Sequence, residues 1–355
     1  MRCRPAPRSP KAATLAVLLT LSIATAVTLT ACGSATTAAT QSAAPAAAAA
    51  TPTAQPSSAS PQTLPVAVKE FHGMLPVVFV VTLVKERPYR STKTVEDVVQ
   101  ARHAVWTFRQ RSSDPRLSGV LTSVINADQR QGDRSATLWG TSTVRNSGGT
   151  WAGPWTGGIA AGGDEHHFYW TAKGTGDYAG LVYHGNGWLT EAGQGFTSDL
   201  KELWAGWIET KDGGPVPVAP GPGSTPANWT PFVTIATMGQ TGYDSGSWTM
   251  DVEASDARVG GNAEGTIVEA GAARSDGSVD YNGVWRLTND GGAWDCPSLY
   301  GVRGPDMVEH FQYWTYSGSG AYAGLTFTKL AHFMERGNYV TGDRFIETGW
   351  IEEAR

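Results

Sequence analysis

Two aromatic stretches that begin with Glu-His hold the side chains best suited to chemistry. They are EHHFYWTAKGTGDYAGL at 165–181 and EHFQYWTYSGSGAYAGL at 309–325, identical at 11 of 17 aligned positions. A carboxylate and an imidazole can transfer protons or orient a bound molecule. Adjacent strand residues face opposite sides, so they do not form one acid–base pair. Either one member points into a cavity and orients a ligand, or the His is buried beside the glycine turn and the Glu lies on the surface.

The alternation of a strand also sorts the neighbouring aromatic side chains. His166, Phe168 and Trp170 share one face, whereas Glu165, His167 and Tyr169 share the other. Two further tryptophans lie in a Gly/Pro-rich segment that we expect to be a loop, where an exposed ring could stack on a sugar or close a barrel mouth. The ligand-binding candidates are therefore Glu165, His166, Tyr169, Trp170, Glu309, His310, Tyr313, Trp314, Trp151 and Trp155.

The sequence carries none of the common motifs for metal, phosphate or nucleophile. The adjacent pair His166-His167 faces two sides of a strand, and no CxxC or HExxH accompanies it. No GxSxG or P-loop occurs, and the GxG strings fall between strands instead of before helices. We expect no metal and no organic cofactor, and we assign no catalytic residue.

The two stretches belong to a larger duplication. Trp106 matches Trp248 at an offset of 142, and the Gly-Trp-Ile-Glu segments at 206–209 and 349–352 match at 143. Such a constant offset indicates two copies of one domain, because the period is too long for a solenoid or a propeller blade. The Pro/Gly-rich segment 212–228 between them is predicted to be a linker.

Each copy reads as an all-β domain. Short aromatic and β-branched runs alternate with Gly, Asp, Asn and Ser clusters, which is typical of antiparallel strands and turns. In the first copy an insert of about thirteen residues contains 94–101, where Thr94 followed by Asp97 predicts a short helix. The apolar run 77–81 is either covered on both faces or lines a dry cavity. The repeated Asp114/Arg116 and Asp256/Arg258 are predicted to be a turn Asp beside a surface cation.

The glycine-tyrosine turns give the chain a family resemblance. GTGDYAGL at 174–181 and GSGAYAGL at 318–325, each after an aromatic strand, resemble the turn of allene oxide cyclase-like and dirigent-like barrels. The resemblance covers the second half of each unit. It implies two tandem eight-stranded antiparallel β-barrels, each with a mostly apolar cavity, and chemistry without metal or organic cofactor. It transfers no catalytic residue.

The N-terminal region predicts export and anchoring. Four basic residues precede an uncharged run at 12–31, and Leu29-Thr30-Ala31-Cys32 resembles a bacterial lipobox, which implies lipidation of Cys32. The alternative is a transmembrane anchor, because the run is long enough to span a bilayer. The Ala/Pro/Ser/Thr-rich segment after it predicts a disordered tether. The expected division is a signal peptide at 1–31, the tether at 32–65, barrels at 66–211 and 229–355, and the linker at 212–228.

Charge and cysteine usage narrow the function. After removal of the signal peptide, 23 basic and 32 acidic residues leave a net charge of −9, which argues against nucleic-acid binding. Cys296 is then the one cysteine of the folded part, and a buried thiol is expected there. We expect a lipid-anchored, extracytoplasmic binding protein with a small apolar ligand in a barrel, rather than an enzyme. The alternatives are a cofactor-free cyclase or isomerase and a cell-wall glycan-binding protein with exposed tryptophans.

Overall fold

A computed structural model describes residues 68–159, 165–190, 201–224, 228–238, 247–269, 279–303, 309–334, 340–341 and 344–354. The signal, Cys32 and tether predictions therefore lie outside the described residues. Within these ranges the protein is built from β-strands and two short 3-10 helices, and no helix is long and apolar enough to cross a membrane.

The first barrel contains nine strands, of which eight close into a cylinder. Its strands are β1 (Leu75–Arg87), β2 (Ser91–Val95), β3 (Val98–Ser112), β4 (Gly119–Arg130), β5 (Ala136–Asn146), β6 (Gly149–Ile159), β7 (Glu165–Gly176), β8 (Leu181–Thr190) and β9 (Lys201–Thr210). Neighbours along the chain pair antiparallel from β3 to β9, and β1 closes the circle by pairing with both β3 and β9. Strand β2 pairs with β3 outside the cylinder.

The second barrel repeats this arrangement. Its strands are β10 (Thr230–Met238), β11 (Ser247–Ala254), β12 (Gly261–Glu269), β13 (Val279–Asn289), β14 (Gly292–Arg303), β15 (Glu309–Gly320), β16 (Leu325–Met334), β17 (Val340–Thr341) and β18 (Arg344–Glu353). Strand β10 pairs with both β11 and β18, which closes eight strands, while β17 pairs only with β18. The prediction of two tandem eight-stranded antiparallel barrels is confirmed.

The insert of the first copy is a strand, so the helix predicted at 94–101 is wrong. Val95 pairs with Val98 across a two-residue turn, in which Glu96 has a φ of 55°. The β-branched side chains of this segment favour strands. Pairing with β3 also satisfies the backbone hydrogen-bonding groups, so a helix N-cap is not needed.

The apolar run of β1 is covered on both faces. Val77, Phe79 and Val81 point into the first barrel and belong to its core. The alternate residues Val78 and Val80 pack outward in a second cluster that includes residues of the second barrel. The run is therefore hydrophobic at every position because one face fills a barrel and the other forms the contact between barrels.

The contact between barrels uses equivalent strands of the two copies. β1, β8 and β9 of the first barrel meet β10, β16 and β18 of the second. The indole of Trp188 stacks on the Tyr313 ring with centroids 5.6 Å apart, and Asn186 Nδ2 donates to Thr348 Oγ1 at 3.4 Å. The tandem pair thus resembles a symmetric dimer within one chain.

The predicted linker packs against the first barrel. The side chain of Val216 joins the first core, and its N–H donates to Glu70 Oε2 at 2.7 Å. Arg116 Nη1 donates to the carbonyl of Pro217, and the N–H of Ser224 donates to the carbonyl of Ser112, each at 2.7 Å. The described part of this segment is therefore held across one end of the barrel.

That end is closed by a buried ion pair, and the prediction of a surface cation beside Asp114 is wrong. Asp114 accepts from the backbone N–H of Arg116 at 2.9 Å, and Arg116 Nη2 donates to its carboxylate at 2.6 Å. Both side chains are buried, in a 3-10 helix at Pro115–Leu117 that lies between β3 and β4. The pair Asp256/Arg258 repeats these contacts.

The repeated Trp, Asn and Tyr complete this closed end. The indole of Trp151 donates to the carbonyl of Arg116 at 2.8 Å and stacks on Tyr178. Asn146 Nδ2 donates to the same carbonyl at 2.9 Å, while its Oδ1 accepts from the hydroxyl of Tyr178 at 2.6 Å. In the second barrel Arg258, Asn289, Trp294 and Tyr322 form the same set.

Replacement of Asp114 by Ala tests this closed end. It leaves the buried guanidinium of Arg116 without its carboxylate, so the free energy of unfolding of the first barrel should fall by about 3–5 kcal/mol. The control Asp295→Ala removes a carboxylate that is 48% exposed and should change it by less than about 1 kcal/mol. Urea unfolding measures both, and equal effects would contradict the role of the buried pair.

Candidate functional site

The sequence candidates separate into three environments. Trp170 and Trp314 lie in the barrel interiors, whereas Tyr169 and Tyr313 lie on the outer faces, beside residues of the other barrel. Phe168 shares the inner face with Trp170, and His167 faces outward against Trp188, so the predicted alternation is confirmed for these side chains. The side chains of Glu165, Glu309 and His310 lie outside the described residues. His166 is half-buried, and its ring contacts that of Phe168.

The expected exposed tryptophans are buried. Trp151 and Trp155 lie in strand β6, not in a loop, and both belong to the core of the first barrel. All fourteen tryptophans fall within the described residues, and each is buried or half-buried. The apolar area of Trp151 and Trp155 is therefore used for packing inside the first barrel.

The interior of the first barrel is filled by aromatic rings. Phe79 on β1 and Trp204 on β9 are cross-strand partners, and their rings stack with centroids 5.7 Å apart. Phe168 also stacks on Trp204, with centroids 5.9 Å apart, and Tyr183 contacts both Phe79 and Trp170. Packing of this kind fills the interior along the neighbouring strands β1, β9, β8 and β7 and stabilises the barrel.

The carboxyl group of Glu202 enters this aromatic interior. Glu202 lies two residues before Trp204 on the same face of β9, and the indole of Trp204 donates to it at 3.2 Å. Burial raises the pKa of Glu202 to about 7, although the hydrogen bond from Trp204 opposes the shift. The group therefore holds its proton under mildly acidic conditions and can then donate a hydrogen bond.

The interior of the second barrel contains a buried ion pair between Lys329 and Glu347. Lys329 Nζ donates to Glu347 Oε2 at 2.6 Å, and the hydroxyl of Thr234 donates to the same oxygen at 3.0 Å. The side chains of Lys329 and Glu347 are only 6% and 1% exposed. The ammonium lies 5.1 Å from the ring centroid of Trp314 and 5.9 Å from that of Tyr316, so aromatic faces surround the cation.

The two interiors differ at matched positions. At the offsets of the duplication, Thr234 and Glu347 occupy the places of Phe79 and Trp204, and Lys329 occupies the place of Gly185. Thr234 and Glu347 are cross-strand partners, as Phe79 and Trp204 are. One fold therefore carries a ring stack in the first copy and a hydrogen-bonded ion pair in the second.

Cys296 is the buried thiol that was expected. It lies in the core of the second barrel, and burial raises its pKa to about 11. The thiol therefore stays protonated near neutral pH and is a poor nucleophile. Burial also raises the pKa of Tyr316 well above its usual value. Lys329 and Glu347 thus form a buried ion pair in this interior, in addition to the pair of Asp256 and Arg258 at the closed end.

A second polar cluster lies on the outer face of the first barrel. His184 Nε2 is 3.1 Å from Glu209 Oε1, and His184 Nδ1 is 3.2 Å from the hydroxyl of Tyr169. The His184 ring stacks on Trp207 with centroids 5.0 Å apart, and the contact with His184 lowers the pKa of Glu209. Thr328 occupies the position of His184 in the second copy. The histidine is buried beside the contact between barrels, so it is not an accessible site. Its described contacts join the strands β7, β8 and β9.

The sequence candidates omitted Lys329, Glu347 and Thr234. A signal for Lys329 exists in the alternation of β16, where Leu325, Phe327, Lys329 and Ala331 share the inner face. A charged residue at an apolar position of that pattern indicates a buried ion. The partner Glu347 is found only when β18 is placed beside β16.

The described residues contain no cluster of three or more His, Cys, Asp or Glu side chains that could hold a metal ion. The search of family models, curated proteins and solved structures found no match to this chain. The buried polar groups of the two interiors are therefore the features that bear on the function of this protein.

The pKa of Glu202 gives a pH-dependent prediction. Between pH 4.5 and about 7 the folded state retains a proton that the unfolded state releases, so the free energy of unfolding should fall as pH rises through this window. The fall attributable to Glu202 is on the order of 3 kcal/mol. Chemical denaturation of the native chain and of Glu202→Gln at several pH values isolates it. An unchanged slope in the variant would contradict the buried, protonated carboxyl.

Proposed function

We propose that this protein is a membrane-tethered extracytoplasmic binding protein, and that the second barrel holds a small, mostly apolar ligand. The observation that supports this proposal is the buried pair of Lys329 and Glu347. The pair stands where the first barrel has Gly185 and Trp204. The proposed ligand carries at least one hydrogen-bond acceptor, which the ammonium of Lys329 would bind.

Stability alone does not account for the ion pair. Removing two charges from water is costly, and replacing a buried pair with well-packed hydrophobic residues is often neutral or stabilising. The first barrel closes the same eight-stranded cylinder with Phe79 stacked on Trp204. The fold therefore does not require Lys329 and Glu347, which favours a role in recognition.

The surroundings of the pair also suit a ligand. Beyond Thr234 and Lys329, the next inward-facing residues on β10 and β16 are Ala236 and Ala331, which occupy little volume. Small-molecule sites are mostly apolar and contain a few convergent polar groups. Lys329 donates one described hydrogen bond to a carboxylate and otherwise faces the rings of Trp314 and Tyr316. A ligand acceptor could therefore receive a further N–H of this ammonium.

A cofactor-free cyclase or isomerase is the second candidate. The observation in its favour is that an acid and a base lie 2.6 Å apart inside an aromatic enclosure. Such a pair could remove a proton from one atom of a substrate and return it to another. Incubation with the ligand released from the protein distinguishes the two, because a carrier returns it unchanged and an isomerase does not.

The binding proposal predicts added mass on the purified protein. Full-length chain released gently from non-ionic detergent should carry a small molecule in a native mass spectrum, and organic extraction should remove it. The triple variant Thr234→Phe, Lys329→Gly and Glu347→Trp reproduces the first-barrel interior and should lack the added mass. Arg286→Ala changes a half-exposed residue of the same barrel and is the matched control.

Two results would contradict the binding proposal. One is a native chain with only its polypeptide and lipid-anchor mass, together with no binding of any compound from the extract of its cells. The other is a folded triple variant that retains the added mass, since the ligand would then lie outside the second interior. Circular dichroism verifies that the variant is folded.

The proposed tether predicts lipidation of Cys32. Cells grown with an alkyne-tagged fatty acid should label the native chain and leave Cys32→Ser unlabelled, because the thiol carries the diacylglycerol. Several acyl chains anchor firmly, at about 0.8 kcal/mol per buried CH₂, so the labelled native chain should be found in the membrane fraction. Equal labelling of both chains would refute the lipobox interpretation.

A further inference from the structure

Matching outer faces of the two barrels carry opposite charge. On the outer face of β3 stand Arg109 and Arg111, and the equivalent residues of β11, at an offset of 142, are Asp251 and Glu253. All four side chains are exposed. Both pairs of residues have the offset of 142 and lie on equivalent strands. The second barrel therefore carries anions at the positions where the first barrel carries cations.

Neighbouring strands extend the basic face of the first barrel. Arg109 on β3 pairs with Val120 on β4, and Val120 pairs with Arg145 on β5. Arg145 is exposed, and 55% of Val120 is accessible to solvent. Together with Arg111, these residues define the basic face. Its three arginines form no ion pair with a carboxylate of the described residues.

The second barrel extends its acidic face in the same direction. Glu264 on β12 occupies the position of Thr122, and it lies across from Arg286, which binds Asp295 at 2.8 Å. Asp251, Glu253, Glu264 and Asp295 define the acidic face. Glu264, Asp295 and Arg286 line an open groove of about 640 Å³, large enough to receive a long side chain.

The charge difference extends to the whole barrels. Residues 66–211 contain 15 basic and 14 acidic side chains, a net charge of +1. Residues 229–355 contain 8 basic and 17 acidic side chains, a net charge of −9. The first barrel is thus almost neutral overall, so the attraction is local to the arginines of its basic face, and at low salt it orients the approach of an acidic face.

Neither face takes part in the main contact between the barrels. That contact uses β1, β8 and β9 with β10, β16 and β18, whereas the faces lie on β3–β5 and β11–β14. At the edge of the acidic face, Glu253 meets a residue of the first copy, His72 at 3.2 Å, and both side chains are more than half exposed. The two faces are therefore available to another molecule.

We propose that the basic face of one copy binds the acidic face of a second copy. A lipid surface or an anionic polymer would bind the arginines of the basic face, but the acidic face of the second barrel would then have no role. A second copy uses both faces, since each chain offers one of each. The contact is heterologous, so it joins chains head to tail in a row or a ring.

Energy transfer between labelled chains tests this contact. Full-length chains with a donor or an acceptor at the C-terminus are mixed in a large excess of non-ionic micelles. Transfer should be strong near 0.01 M salt and lost near 1 M, where the Debye length falls to about 3 Å. The variant Arg109→Asp with Arg111→Glu should associate at least about tenfold more weakly, because like charges then face each other.

A charge swap separates this contact from general stickiness. The reverse variant, Asp251→Arg with Glu253→Arg, should also fail to associate with itself, whereas a mixture of the two variants should recover transfer. Lys211→Glu changes an exposed cation outside both faces and should behave like the native chain. Absence of transfer between native chains at low salt would overturn the proposal, as would a mixture of folded variants that shows no recovery.

Discussion

The buried guanidinium at the closed end of each barrel is the constraint on which the rest of the structure depends. Arg116 and Arg258 are neutralised by the aspartate two residues earlier, and their carbonyls accept the indole N–H of a tryptophan and the amide of an asparagine. The tyrosine of the glycine turn then fixes that asparagine. One connected network thus joins three turns, and any part removed leaves another buried polar group without a partner.

With one end fixed, the remaining surfaces of the barrels were free to diverge. The interior of one copy became a ring stack and that of the other an ion pair, while the outer faces of β3 and β11 took opposite charges. The faces between the barrels became apolar, as Val78 and Val80 show. The duplication therefore places two barrels in contact within one chain, and their interiors differ in chemistry.

The sequence predicted the fold well because repeats and alternation are local signals. The offset of 142–144 marks the two domains, and the strand period places Phe168 and Trp170 inside. The errors concern tertiary contacts. Thr94 and Asp97 predicted a helix N-terminus, but this segment pairs with β3 as a strand. Asp114 and Arg116 predicted a solvated turn, but residues of β5 and β6 cover them. Glu347 gained its role only from a lysine on a neighbouring strand.

The ammonium of Lys329 reports most directly on whether the second interior is a binding site. Among the lysines whose side chains the structure describes, it alone is buried. In protein with ¹⁵N-labelled lysine its Nζ signal should be protected from rapid exchange and separate from those of the surface lysines. We predict that this signal moves when the bound molecule is extracted and returns when the extract is restored. A signal identical in both states would contradict it.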